Sequence, residues 1–117
     1  MAEGFARHYG ADVLVAASSG VSPLTKALKE TAEIMEEKNV DISRHVPRYF
    51  TPLETPRFDI VVNMSGMPLP GIAPRELLEW DVSDPYCRGK EAYRATRDDI
   101  ENRVMRLILR LRRHAAA

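Results

Sequence analysis

Residues 58–64 are FDIVVNM, and residues 12–17 are DVLVAA. Each is a short, nearly continuous apolar run, the pattern of a strand buried on both faces in a parallel sheet. Between them, an amphipathic helical pattern begins after Ser22 and Pro23 and continues to about Lys38. Strands that alternate with helices predict an α/β fold in three layers, with a small parallel sheet and helices on both of its faces.

The remaining elements are shorter, except at the end of the chain. Residues 2–9 predict a helix that Gly10 ends, and residues 90–113 predict a long terminal helix with an apolar stripe. Residues 78–82 predict a third strand. Smaller features are a helical stop at Asn39, helical turns near residues 51–53 and 74–78, and a Gly/Pro loop over residues 65–71.

Two features of this pattern are unusual. The first helix begins at the start of the sequence with no Ser, Thr, Asp or Asn in front of it as an N-cap. Two clear strands and a weaker third also make a poor parallel sheet, because such sheets need several neighbouring strands. The sequence therefore predicts that one element of the sheet is missing.

Composition limits the range of functions. The chain of 117 residues is 44% apolar and 29% charged, which predicts one globular domain. Lysine plus arginine balance aspartate plus glutamate at 17 each, so charge gives no argument for nucleic acid or a membrane as partner. We interpret the arginines of the last helical turns as a solvated face that complements the helix dipole.

The lone cysteine, Cys87, excludes an internal disulfide and makes a cytoplasmic setting the default. The N-terminal residues lack the apolar stretch of a signal peptide. No run approaches the length of about 20 apolar residues that a membrane helix needs.

Six segments, in order, resemble the low-molecular-weight protein tyrosine phosphatases and the related thioredoxin-coupled arsenate reductases. They are MAEGF (1–5), VAASSGVSP (15–23), VDISRHVPR (40–48), FDIVVNM (58–64), WDVSDPY (80–86) and YRATRDDIENRV (93–104). The resemblance implies the phosphotyrosine phosphatase I-like fold and a single domain over residues 1–117. It also implies an N-terminal truncation: the family's first strand, its Cys-x5-Arg phosphate loop and the following Ser would precede residue 1. That strand would lie between the two apolar strands, which accounts for both unusual features.

The resemblance assigns two site residues. Asp84 matches the acid that protonates the leaving oxygen and then activates water, and Tyr86 would lie at the pocket mouth against a phosphotyrosine ring. The alternatives are that Asp84 only starts a turn with Pro85, and that Tyr86 is an ordinary loop residue. Asp81 is the weaker acid candidate and is interpreted as a strand-end residue.

Two more residues of the matching segments, His45 and Arg48, are interpreted as ties between loops. Cys87 is not the expected nucleophile, because six residues rather than five separate it from Arg94 and no buried strand leads into it. We interpret it as a plain loop cysteine. A relay of disulfides is also disfavoured, since Ser65 stands where the arsenate reductases carry a cysteine.

We therefore expect a phosphatase-like protein that is inactive as given, with no cofactor and no metal. With the loop restored, its substrate would be a phosphotyrosine protein or a small aryl phosphate. The alternative is a non-catalytic derivative that binds a partner or forms a homodimer, because unpaired strand edges invite pairing. An arsenate reductase and a nucleic-acid-binding helix are the less favoured interpretations.

Overall fold

The computed structural model describes residues 1–20, 29–45, 48–51, 57–86 and 88–116. These residues form three helices and two strands: α1 (Ala2–Gly10), α2 (Lys29–Glu36), β1 (Ile60–Asn63), β2 (Glu76–Glu79) and α3 (Lys90–Ala116). The start predicted for the second helix, most of the turn predicted near residues 51–53, and Cys87 lie outside the described residues. Within the described part, no helix is both long and apolar enough to span a membrane.

The two strands form a parallel sheet, as the α/β pattern predicts. The register pairs Ile60 with Glu76 and Asn63 with Glu79. β1 lies inside the predicted strand, but β2 begins two residues before the predicted one, and the helical turn predicted over residues 74–78 is wrong. Pairing with β1 holds residues 76–79 extended. Glu76, the first of these residues, also forms a bidentate ion pair with Arg110 of α3, with N–O distances of 2.7 and 3.0 Å.

The strand predicted over residues 12–17 is absent. The amides of Val13 and Leu14 both donate to the carbonyl of Gly10 at 3.0 Å, so the chain leaves α1 in a turn. No ladder follows, and Val15 is 97% exposed. A strand needs a neighbour for its backbone hydrogen bonds, and the described residues supply none beside this segment.

The core forms where α3 packs against α1 and α2. Its buried members come from all three helices and the segment after α2: Phe5, Met35, Val40, Ile100, Val104 and Ile108. α1 and α3 approach so closely at Gly10 that a Cβ there would lie 2.8 Å from Ile108 Cγ1. The first residue of α1 has no side-chain cap, as the sequence predicts.

A buried arginine joins α2 to α3. Arg97 is 6% exposed and donates through Nη1 to the carbonyl of Ile34 at 3.0 Å and to Glu37 at 2.7 Å. Its Nε donates to Asp98 at 2.9 Å. The guanidinium thus satisfies one backbone acceptor at the end of α2 and two carboxylates, which is why a charged group is tolerated in this position.

Candidate functional site

The loop over residues 81–86, which we call the acid loop, follows β2 and is held by α3. Thr96 Oγ1 donates a 3.0 Å hydrogen bond to the carbonyl of Ser83. Arg103 Nη2 donates a second, also 3.0 Å long, to the carbonyl of Asp81. Two side chains from one rigid helix thus fix two backbone positions in the loop.

Within the acid loop, Asp84 is exposed and begins a turn. Its Oδ1 accepts a 3.0 Å hydrogen bond from the amide of Tyr86, and the amide of Arg88 donates to the carbonyl of Pro85 at 3.0 Å. Asp84 therefore does start a turn, as the alternative interpretation of this residue predicted. This turn does not exclude the acid role, because one carboxylate oxygen suffices for the turn and Asp84 has no ion pair among the described residues. Tyr86 is 59% exposed.

A second polar group surrounds Glu3 at the start of α1. Glu3 accepts a 3.0 Å hydrogen bond from Ser18 and lies 3.4 Å from both Arg7 and His45 Nδ1. Arg48 Nε donates to the carbonyl of Ser18 at 3.3 Å. His45 and Arg48 thus tie separate segments together, as predicted.

The loop after β1 is organised by Asn63, which is 5% exposed. Its amide group donates to the carbonyl of Met67 at 2.8 Å, and its Oδ1 accepts from both the amide and the hydroxyl of Ser65 at 3.0 and 2.7 Å. Gly66 has a φ of 76°, a conformation that a glycine adopts without strain. The Gly/Pro loop predicted from residue 65 onward is confirmed.

The polar group around Glu3 and the loop after β1 both border a large groove. Its volume is about 1160 Å³, with walls formed by residues 11–20 and 58–65 and a floor of side chains from α1 and α3. Ser18, Arg48 and Ser65 line it together. Ser65 and the acid loop both follow the carboxyl ends of parallel strands, the edge at which α/β sheets bind ligands. Asp84 and Tyr86 are not part of the described lining.

The basic residues of α3 are largely paired. Arg103 binds Asp99 at 3.0 Å, Arg110 binds Glu76, and Arg112 binds Asp12 at 2.9 Å. The hydrogen bond from Arg112 lowers the pKa of the Asp12 carboxyl. Among the described side chains, no cluster of three His, Cys, Asp or Glu is placed to hold a metal ion.

A family model described as low molecular weight phosphotyrosine protein phosphatase matches residues 1–117. The chain belongs to this family. The glutaredoxin arsenate reductase of Synechocystis sp. is 28% identical over 115 residues, covering 95% of this chain and 87% of that relative. A solved arsenate reductase in its phosphate-binding state is 26% identical with a TM-score of 0.85, covering 94% of this chain and 86% of the other. An arsenate reductase in the reduced state gives a TM-score of 0.81 at the same identity and coverage.

Membership of the low-molecular-weight phosphatase family confirms the resemblance drawn from the six segments. The sequence in hand still contains no Cys-x5-Arg pattern, since its one cysteine is Cys87. The roles of Asp84 and Tyr86 remain predictions.

Two organising residues of this family member were missed from the sequence. Asn63 could have been found, because an Asn at a strand end before Ser-Gly is typical of a side-chain-to-backbone turn. Glu3 has no such local signal, because its partners Ser18 and His45 are distant in sequence.

Proposed function

We propose that these 117 residues are the acid-loop part of a low-molecular-weight-phosphatase-type enzyme, and that alone they do not hydrolyse phosphate monoesters. The observation that carries the proposal is the state of Asp84. This carboxylate is exposed and free of ion pairs in the described structure, on a loop that Thr96 and Arg103 fix to α3. No nucleophile accompanies it at the family's spacing.

The proposed chemistry needs a thiolate from outside these 117 residues, which carry no cysteine at the family's spacing. That thiolate attacks phosphorus, a sulfur–phosphorus bond forms, and the bond to the ester oxygen breaks as Asp84 transfers its proton to that oxygen. The Asp84 carboxylate then takes a proton from water, whose oxygen attacks phosphorus and releases phosphate and the thiolate. Asp84 suits both steps because its carboxyl is exposed and has no ion pair among the described residues.

Tyr86 of the acid loop favours an aryl phosphate as substrate. Tyr86 is 59% exposed and lies two residues after Asp84, which leaves its ring available for stacking on a phenyl group. A phosphotyrosine protein and a small aryl phosphate both present such a ring. Protein serine phosphates lack it and should be poorer substrates.

Arsenate reduction is the second candidate, and the comparisons favour it because the curated relative and the solved structures described above are arsenate reductases. Reduction of arsenate through protein thiols requires a relay in which one sulfur after another forms a disulfide. This chain has one cysteine, and the hydroxyl of Ser65 is engaged with Asn63 at 2.7 Å. A relay within these residues is therefore not possible, and any reductase activity needs thiols from outside them.

The test is an assay of the 117-residue protein with p-nitrophenyl phosphate, and with arsenate plus glutathione and glutaredoxin. We expect no turnover of either. Hydrolysis that survives Cys87→Ala and disappears in Asp84→Asn would contradict the proposal that the nucleophile lies elsewhere. With a strand and Cys-x5-Arg loop fused ahead of residue 1, Asp84→Asn should lower kcat for p-nitrophenyl phosphate about 10²- to 10⁴-fold. An unchanged kcat would remove Asp84 from the mechanism.

A further inference from the structure

A second, smaller pocket lies between β2 and the middle of α3. Its volume is about 250 Å³. We call it the α3 pocket, and its lining combines three apolar side chains with three arginines: Leu78, Trp80, Leu107, Arg103, Arg106 and Arg110. The family's first strand is expected beside β1, on the edge that β2 does not occupy. The α3 pocket is therefore not the place of that strand.

Two of the three arginines are held in place by carboxylates. Arg110 forms the bidentate pair with Glu76 described above. Arg103 donates from Nε to Asp99 at 3.0 Å and from Nη2 to the carbonyl of Asp81. A guanidinium has five N–H groups, and each of these two uses two of them in the bonds just given. Both arginines thus offer further donors from fixed positions, which lowers the entropy cost of binding an anion.

Arg106 supplies the charge that no carboxylate neutralises. Its side chain is exposed and forms no ion pair within the described structure. The charges of Arg103 and Arg110, by contrast, are matched by their carboxylate partners. The α3 pocket therefore presents an unmatched positive charge beside an apolar floor.

The surface of α3 next to the pocket has the same character. Leu109 is 46% exposed and lies one turn after Arg106. Arg113 follows two turns after Arg106, is exposed, and has no ion pair among the described residues. From residue 103 to residue 113 the helix rises about 15 Å. An exposed apolar side chain thus lies between two unpaired cations, on a surface long enough for a short peptide segment.

The size and composition of the pocket indicate what it can bind. Small-molecule sites usually have volumes of roughly 300 to 1,000 Å³, so this pocket is suited to one large side chain rather than to a whole ligand. Tryptophan and arginine are the residues most enriched where binding energy concentrates in protein interfaces. A nucleic acid is the poorer occupant, because acidic and basic residues balance at 17 each over the chain.

We propose that the α3 pocket is a docking site for an acidic segment of a partner protein, in which one aromatic or large aliphatic side chain lies between carboxylates. That side chain packs against Trp80 and Leu107. The flanking carboxylates accept hydrogen bonds first from Arg106, because its charge is unpaired, and then from the remaining donors of its two neighbours. The inference goes beyond the proposed function, because docking requires neither a thiolate nor a phosphate.

Trp80 provides a direct readout, because it is the one tryptophan of the chain and lines the pocket. The 117-residue protein is titrated with the acetylated and amidated peptide Glu-Glu-Leu-Phe-Glu-Glu, and binding is followed by tryptophan fluorescence and calorimetry. Two matched peptides serve as controls: Gln-Gln-Leu-Phe-Gln-Gln lacks the charges, and Glu-Glu-Ser-Ser-Glu-Glu lacks the apolar anchor. We expect saturable one-to-one binding of the first peptide and affinities about tenfold lower for each control.

A protein variant tests the same contact from the other side. Arg106→Gln removes the unpaired charge and keeps an exposed polar side chain, so the variant should melt like the unchanged protein while its affinity for the acidic peptide falls about three- to tenfold. Arg44→Gln is the control, because it removes the same charge from an exposed position outside the pocket and should leave the affinity nearly unchanged. Trp80 also borders the large groove, so equal losses in the two variants would place binding elsewhere and overturn the proposal.

Other outcomes would overturn it as well. One is the absence of binding, and another is equal affinity for the acidic and the glutamine peptide. A duplex oligonucleotide that binds more tightly than the peptide and displaces it would identify a nucleic acid as the occupant. A stable dimer in sedimentation that Arg106→Gln abolishes would identify a second copy of this chain. If Arg106→Gln does not fold, the comparison of the three peptides decides. None of these outcomes bears on hydrolysis, so failure here is distinct from failure of the proposed function.

Discussion

Thr96 of α3 donates a 3.0 Å hydrogen bond to the carbonyl of Ser83, one residue before the candidate acid Asp84. Thr96 is 7% exposed, so its hydroxyl is shielded from water that could replace the bond. Thr96→Val keeps the shape of the side chain and removes the donor. We expect it to lower the free energy of unfolding by about 1 kcal/mol and to raise amide exchange at Tyr86 and Arg88 more than elsewhere.

Thr96→Ser is the matched control, because it retains the hydroxyl. Exchange in the acid loop should then stay close to that of the unchanged protein. A Thr96→Val variant that exchanges no faster at Tyr86 would show that the tether does not hold the loop.

Stability in acid should depend on Glu37. Hydrogen bonds from Arg94 and then Arg97 lower the pKa of Glu37 from 4.5 to about 2 in the folded protein. Because the folded pKa is the lower one, the stabilisation is complete above about pH 4.5 and is lost as the pH falls toward 2. Glu37→Gln should reduce stability at pH 7 and lose less further stability between pH 4.5 and 2.

Urea midpoints measured at several pH values check this prediction. Glu36→Gln is the control, since Glu36 is exposed and its side chain has no ion pair in the described part of the chain. Parallel acid profiles for Glu37→Gln and the unchanged protein would show that the ion pairs with Arg94 and Arg97 do not contribute.

The two arginines that share Glu37 should differ in their effect on stability. The side chain of Arg97 is 7% exposed and that of Arg94 is 36% exposed. Arg97→Ala leaves the carbonyl of Ile34 and part of Glu37 without a donor in a protected position, which should cost about 2 kcal/mol. Arg94→Ala removes a solvent-screened pair and should cost clearly less.

Thermal and urea unfolding of both variants decide this comparison. Arg97→Lys adds a further check, because one ammonium group cannot reproduce the three hydrogen bonds of the guanidinium. Its stability should lie between those of Arg97→Ala and the unchanged protein. A larger loss from Arg94→Ala than from Arg97→Ala would contradict the buried role of Arg97.

The elements that could be predicted from sequence are those whose local residue pattern is enough to determine their structure. α1, α3 and β1 were predicted within a few residues, because helical periodicity and a buried apolar run are local signals. Residues 12–17 carry an equally good strand signal and form no strand, since a strand depends on a neighbour and the described part of the chain places none beside them. β2 was misplaced because its start is set by pairing with Ile60 and by the ion pair with Arg110, both distant in sequence.

The same distinction applies to the candidate site. The resemblance located the acid loop, and the turn between Asp84 and Tyr86 follows from local chemistry. The tethers from Thr96 and Arg103 were not predicted, because they join residues 13 and 22 positions apart. The groove could not be located either, since it arises from the arrangement of several segments.

Asn39 ends α2 and thereby also positions a residue of the core. It ends α2 with a φ of 60°, and the amides of Asn39 and Val40 donate to the carbonyls of Glu36 and Met35 at 2.9 and 3.1 Å. This double closure, with a left-handed residue, is the Schellman motif, and it places Val40 in the core beside Met35. Helix termination here therefore also determines packing.

Replacing Asn39 separates backbone strain from side-chain contacts. Asn39→Ala should lower the free energy of unfolding by about 1 kcal/mol, because a Cβ without a polar group is disfavoured at positive φ. Asn39→Gly should leave it unchanged or raise it slightly, since glycine adopts this conformation freely. Urea unfolding of the two variants measures the difference. If alanine and glycine were equally stable, the left-handed conformation would not control the end of α2.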